Sequence, residues 1–289
     1  MLAVIKWDFN PQIIEGWATP NWYGVLFITG MILGYFIIRK MFRNELVPDD
    51  KLDRLLLYVV PATIIGARLG HVLFYGPYWD SETELGYFSH PMEILKIWEG
   101  GLASHGGAFM LLFALWLYSR REVKQSYLWI LDRISAPIAI TGMFIRLANL
   151  ANGEIVGYQT NVPWAFKFMR EDCPGYPQMQ CSWEDIPARH PAQLYEAIAY
   201  FLIFIILMFI YWKRNAWKIQ GRVFSYFLIL LFGARFVLEF FKEGQTSRDE
   251  VLPINTGQIL SIPFVLLGFY LLWRSYNKPK ESIYTPETK

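Results

Sequence analysis

Arg68 with His71, then Arg146, then Arg235, stand inside apolar runs long enough to cross a bilayer. A charge at membrane depth costs about 2.5–3.5 kcal/mol even on the lenient insertion scale, so such a residue marks a site. Guanidinium groups hold phosphate bidentately and stay charged at every relevant pH, and a lipid phosphate is the natural anion at that depth. Asn149, Asn152 and Glu154 follow Arg146 closely, and Glu239 lies one turn beyond Arg235. An i, i+4 pair of that kind is ordinarily a structural ion pair. His105 sits in IWEGGLASHGG, bracketed by two glycine pairs that allow close backbone approach. A neutral imidazole beside an anion site could act as a general base.

These residues need helices to carry them. Hydrophobic content of 54% and aromatic content of 18% exclude an ordinary soluble domain. Spans of roughly 20 apolar residues are expected at about 22 to 42, 55 to 75, 103 to 118, 128 to 149, 195 to 212, 222 to 241 and 257 to 274, the third and fifth being short. The runs are continuous and not alternating, which excludes a membrane barrel. The fold class is therefore an all-α integral membrane protein with seven transmembrane helices.

Lys and Arg collect after the first, third, fifth and seventh helices: Arg39, Lys40 and Arg43; Arg120, Arg121 and Lys124; Lys213, Arg214 and Lys218; Arg274, Lys278 and Lys280. That asymmetry places the N-terminus outside and the C-terminus in the cytoplasm. Arg68, Arg146, Arg235 and the start of the third helix at His105 then share the outer half of the membrane. Residues 1–21 contain Lys6, Asp8, Asn10, Pro11 and Glu15, so no cleavable signal peptide is expected. They read as an extracytoplasmic arm on the membrane surface through Trp7, Phe9 and Trp17. Residues 22–274 form the membrane catalytic domain, with outer caps over about 76–102 and 150–194, and residues 275–289 a cytoplasmic tail without fixed structure.

Cys173 and Cys181, the only cysteines, fall in one outer segment, where a disulfide staple is expected before a catalytic thiol. His71, His90, His105 and His190 lack metal-ligand spacing, so no metal and no cofactor is implied. Asp132 and Arg133 read as an interfacial pair without chemistry. A lipid or anion transporter would also use intramembrane arginines, but internal repeats and interrupted helices are missing.

GARLGHVLFY (66–75), GGLASHGG (100–107), FIRLANLANGEIVG (144–157), HPAQLYEA (190–197) and GARFVLEFFKE (233–243), in that order after NWYG (21–24), resemble the prolipoprotein diacylglyceryl transferase family over nearly the whole chain. The resemblance implies an enzyme of the bacterial inner membrane with its active site toward the outer leaflet. It implies transfer of a diacylglyceryl group from phosphatidylglycerol to the lipobox cysteine of a prolipoprotein signal peptide. His105, Arg146 and Arg235 would be catalytic. Tyr23, Arg68, Asn149, Glu154, Gly157 and Glu239 would serve substrate binding. The chain departs from the family pattern at Ile145 and Ala148, where glycines are usual, at Leu231 for a tyrosine, and at Lys242 for an arginine.

Overall fold

The computed structural model describes residues 4–14, 20–74, 86–87, 90–96, 101, 103–176, 178–179, 181–243 and 254–284. Trp17, Trp98, Gly100 and most of the expected 76–102 cap lie outside them. In chain order the elements are β1 (Ile5–Trp7), α1 (Trp22–Asn44), α2 (Asp49–Phe74), α3 (Ser104–Arg121), α4 (Tyr127–Asn152), β2 (Phe166–Phe168), α5 (Met169–Asp172), α6 (Ala192–Lys213), α7 (Arg222–Leu238) and α8 (Thr256–Asn277). The chain is mostly helical, and α1, α2, α4, α6, α7 extended to Phe241, and α8 are long and apolar enough to cross a membrane. The 18-residue α3 is not among these six. It spans about 27 Å and ends in Arg120 and Arg121.

Local sequence explains the boundaries. The Asn21 carboxamide accepts the Gly24 amide at 2.8 Å and starts α1. Asp49 and Asp50 occupy the first turn of α2, the favourable end for acids, and Asn255 with Gln258 closes a capping box at the head of α8. Ile28, Ile32 and Phe36 on α1, and Leu266, Phe269 and Tyr270 on α8, stay exposed as lipid-facing side chains would.

Two compact units result, one of residues 1–40 and 132–283, the other of 41–131 and 284–289. In the first, α1 meets α4 through small residues. A Cβ on Gly30 would stand 3.1 Å from the Thr141 Cα, and Thr141 Oγ1 donates to the Gly30 carbonyl at 3.1 Å. Phe232 stacks on Phe264 to join α7 and α8. Asp132, fully buried, accepts the Gly221 and Phe224 amides and so anchors the start of α7.

Arg133 donates to the Ser282 carbonyl and hydroxyl and to the Trp217 carbonyl. The expected unstructured tail is thus ordered through Ser282, because a buried guanidinium takes its hydrogen bonds there. The N-terminal arm carries a strand. β1 pairs in parallel with β2, Ile5 opposite Phe166 and Trp7 opposite Phe168. The Trp7 indole N–H reaches the Leu150 carbonyl at 2.8 Å, and the ring packs with Phe166 and Phe168.

In the second unit α2 and α3 cross at glycines. A Cβ on Gly106 would fall 2.3 Å from the Gly66 carbonyl oxygen and 2.7 Å from the Gly70 Cα. Only glycine permits that approach, the small-xxx-small contact of membrane helices. At the other end, Tyr118 donates to the Lys51 carbonyl and Arg54 pairs with Glu122 at 2.9 Å.

Candidate functional site

The first unit brings together Tyr23, Arg146, Asn149, Glu154, Gly157, Arg235 and Glu239. Arg146 and Asn149 share a face of α4 one turn apart. The Arg146 Nε lies 3.0 Å from Glu196 Oε2, and the Tyr200 phenol lies within the field of the guanidinium. Glu196 and Tyr200 are themselves i, i+4 on α6, and Gly142 leaves the space that the Tyr200 ring fills. With the Nε edge engaged, Nη1 reaches only a long contact to Asn149 Oδ1 at 3.4 Å.

Asn149 Nδ2 donates to Glu154 Oε1 at 2.8 Å, and Asn152 Nδ2 adds a 3.3 Å contact to the same oxygen. The turn that returns Glu154 to α4 uses a left-handed Gly153 and, two residues on, a left-handed Ile155 at φ 62°. A β-branched residue is strained there by about 1–3 kcal/mol. Tyr23 lies in the electrostatic field of Glu154 and Arg146.

Gly157 is where three segments cross. Its amide donates to the His190 carbonyl at 3.0 Å, the Tyr158 amide donates to the Phe241 carbonyl at 3.1 Å, and Gly157 bridges to Lys242. A Cβ at Gly157 would stand 2.4 Å from the Phe241 oxygen. Arg189 fastens the crossing with 2.6 and 2.9 Å bonds to Asp172 and 2.9 Å to Glu243. The Asp172 carboxylate holds the Arg189 pKa above its ordinary value. Nearby, Cys173 and Cys181 are disulfide-bonded.

Arg235 is half-buried on α7 and within the field felt by Tyr200 and Lys242. Among the described residues it forms no ion pair with Glu239; that carboxylate instead lies against Gly257, whose absent Cβ would meet it at 2.6 Å. Glu196, not singled out in the sequence, and Lys242, noted there only as standing for an arginine, join the group at 3% and 5% exposed. Glu196 is legible as an acid inside the apolar run of α6. The group balances Arg146, Arg235 and Lys242 against Glu154, Glu196 and Glu239. A polar cavity of about 420 Å³ opens beside it, lined by Gln12, Asn21, Asn152, Glu154, Arg170 and Glu171. An apolar groove of about 470 Å³ runs along α6 and α7 past Ala199, Gly233 and Ala234.

Arg68 and His105 belong to the second unit. Arg68 donates to the carbonyls of Glu93, Ile94 (2.9 Å) and Gly101 (3.1 Å) and stacks over Tyr87. Its guanidinium is thereby committed to backbone at the end of a short 3-10 turn (Pro91–Leu95). The His105 side chain is exposed beside the Gly106 crossing.

The sequence model of the prolipoprotein diacylglyceryl transferase family matches residues 12–274. Proteins named phosphatidylglycerol–prolipoprotein diacylglyceryl transferase are similar throughout. That of Chloroherpeton thalassium is 43% identical, with 96% of each chain covered. That of Tolumonas auensis is 43% identical over 93% of this chain and 96% of its own, and that of Porphyromonas gingivalis 42% identical over 96% of both.

Proposed function

The chain belongs to the prolipoprotein diacylglyceryl transferase family, and from that premise we propose that it transfers the sn-1,2-diacylglyceryl group of phosphatidylglycerol to the lipobox cysteine thiol of a prolipoprotein. This is the first step of lipoprotein maturation. The thiol loses its proton to His105, the thiolate attacks the glyceryl carbon, and a carbon–sulfur bond forms as the carbon–oxygen bond to phosphate breaks. The electron pair leaves on glycerol phosphate. Free thiols have a pKa near 8.5, so a base raises the reactive fraction at neutral pH.

The observation that carries the reading is the held Arg146. Glu196 pairs with the guanidinium at Nε, which leaves the Nη edge, held to Asn149 by one long contact, to take a phosphate. Arg235 supplies a second cation in the same group. Both stabilise charge that grows on the departing phosphate, while Asn149 and Glu154 orient the headgroup or the arginine. Tyr23 and Glu239 are assigned to the same substrate group. Gly157 and Arg68 act by holding the backbone in place.

Seven crossings are supported by parity. β1 and β2 pair with each other, so the chain between them crosses the membrane an even number of times. With α1, α2 and α4 taken as crossings, a crossing by α3 keeps that number even. The bridge of Gly157 to Lys242 brackets α6 and α7, and that of Ile219 to Glu281 brackets α7 and α8, each an even pair. The cationic segments, 39–54, 120–124, 213–222 and 274–280, are read as cytoplasmic by their excess of Lys and Arg. The arm 1–21 and the 150–194 segment face outward, the tail 275–289 inward, and the reaction group lies toward the outer leaflet of the inner membrane.

Purified protein incubated with phosphatidylglycerol and a lipobox peptide should release glycerol phosphate and yield a thioether-linked lipopeptide. His105→Gln should lose that turnover and regain part of it as pH approaches the thiol pKa. Lipid consumption without glycerol phosphate would overturn the reading.

A further inference from the structure

Lys242 follows the 3-10 turn at the end of α7, just beyond the span, and only 5% of its surface is exposed. Among the described residues no carboxylate lies within ion-pair distance of its ammonium. Its field comes from farther off: Glu196 first, then Arg146, Glu239 and Arg235, the charged members of the group described above. Burial pushes its pKa below the ordinary lysine value. A cation on a largely buried side chain, with no carboxylate at bonding distance among the described residues, is costly to keep.

The backbone nevertheless holds it in place. The Lys242 segment is bridged to Gly157, with the Tyr158 amide on the Phe241 carbonyl and the Glu243 amide on the Val156 carbonyl at 3.3 Å. Gly157 lets that segment lie flush, and Arg189 ties the next residue, Glu243, to Asp172. A position pinned from both sides, whose charge has no carboxylate partner among the described residues and shares its field with two guanidiniums, fits an anion supplied from outside the chain.

We propose that Lys242 is a third cationic ligand of the phosphate, contacting the phosphatidylglycerol headgroup directly and the glycerol phosphate that leaves. The inference rests on the transfer reading above. Arg146 and Arg235 would present forks, and Lys242 a compact point charge with three donors.

The test uses the full-length protein in detergent micelles, as wild type, Lys242→Met and Lys242→Arg. Lys242→Met fills similar volume without charge, so on its own it should melt at or above the wild-type temperature. Added phosphatidylglycerol, or glycerol phosphate alone, should raise the wild-type and Lys242→Arg melting temperatures and fail to raise that of Lys242→Met. Transfer by Lys242→Met should drop about 100-fold, with Lys242→Arg restoring most of it. A ligand-free Lys242→Met that melts well below wild type would overturn the proposal in favour of a structural lysine. So would an unchanged melting shift with phosphatidylglycerol. Because the melting shift needs no turnover, it decides the role of Lys242 even if the wild type releases no glycerol phosphate, the outcome that would sink the transfer reading instead.

Discussion

Replacing Gly157 by alanine should break the crossing on which the reaction group is mounted. The added Cβ would stand 2.4 Å from the Phe241 oxygen and 2.7 Å from both the Cβ and the oxygen of His190. Ordinary carbon–oxygen contacts begin near 3.3 Å, so the Phe241 carbonyl must retreat by about 0.9 Å. The 3.1 Å bond from the Tyr158 amide would then open, and the 3.0 Å bond from Gly157 to His190 would be pushed in the opposite sense. Two backbone bonds at about 0.5–1.5 kcal/mol each plus overpacking of about 1–3 kcal/mol give a loss of roughly 2–6 kcal/mol. Thermal unfolding in micelles, followed by tryptophan fluorescence, measures that loss. Transfer should fall further than the folded fraction does, because Lys242 is the residue bridged to Gly157. A Gly157→Ala protein within about 0.5 kcal/mol of wild type and fully active would refute the close-approach argument.

Glu196→Gln keeps the shape but removes the charge at the Arg146 Nε, so kcat should fall about 10- to 100-fold through misplacement of the guanidinium; initial rates at saturating lipid that match wild type would contradict this. Arg68→Met removes the donors to Glu93, Ile94 and Gly101, each charged bond contributing about 1.5–3 kcal/mol. Limited proteolysis should then cut between residues 90 and 103 before anywhere else. Burial lowers the pKa of His190 below its ordinary 6.5, so the folded state binds fewer protons than the unfolded one. Stability is therefore full above pH 6.5 and declines as pH falls through and below it. The acid limb of a melting-temperature profile should flatten in His190→Asn.

The membrane class, the chain order of the helices and the arginines on α4 and α7 were legible in sequence because insertion cost is a property of single residues in long apolar runs. Pairing was not. Arg235 and Glu239 have helical spacing for an ion pair, yet the helix ends at Leu238 and the carboxylate turns toward Gly257. Arg68 looked like a phosphate ligand, and its guanidinium is taken by three carbonyls, two in a short 3-10 turn and one at Gly101, that no local pattern announces. Glu196 is as legible as the arginines, since a carboxylate in an apolar run is as costly as a cation. The β1 and β2 strands are three residues each, too short for alternation to register. The burial of Lys242 follows from a glycine 85 positions earlier, a kind of information that composition and periodicity do not carry.

The pairing of Ile5–Trp7 with Phe166–Phe168 also orders events during synthesis. β1 leaves the ribosome first, but its partner follows roughly 160 residues later, a delay of roughly ten to thirty seconds at about 5–20 residues per second. Through that interval the Trp7 indole has no Leu150 carbonyl to bond and no Phe166 ring to cover it. The ribbon can close only once both strands have been made and can meet. Closure of this small clasp is thus a late event, and until it happens the aromatics of Trp7, Phe166 and Phe168 lack the cover they give one another.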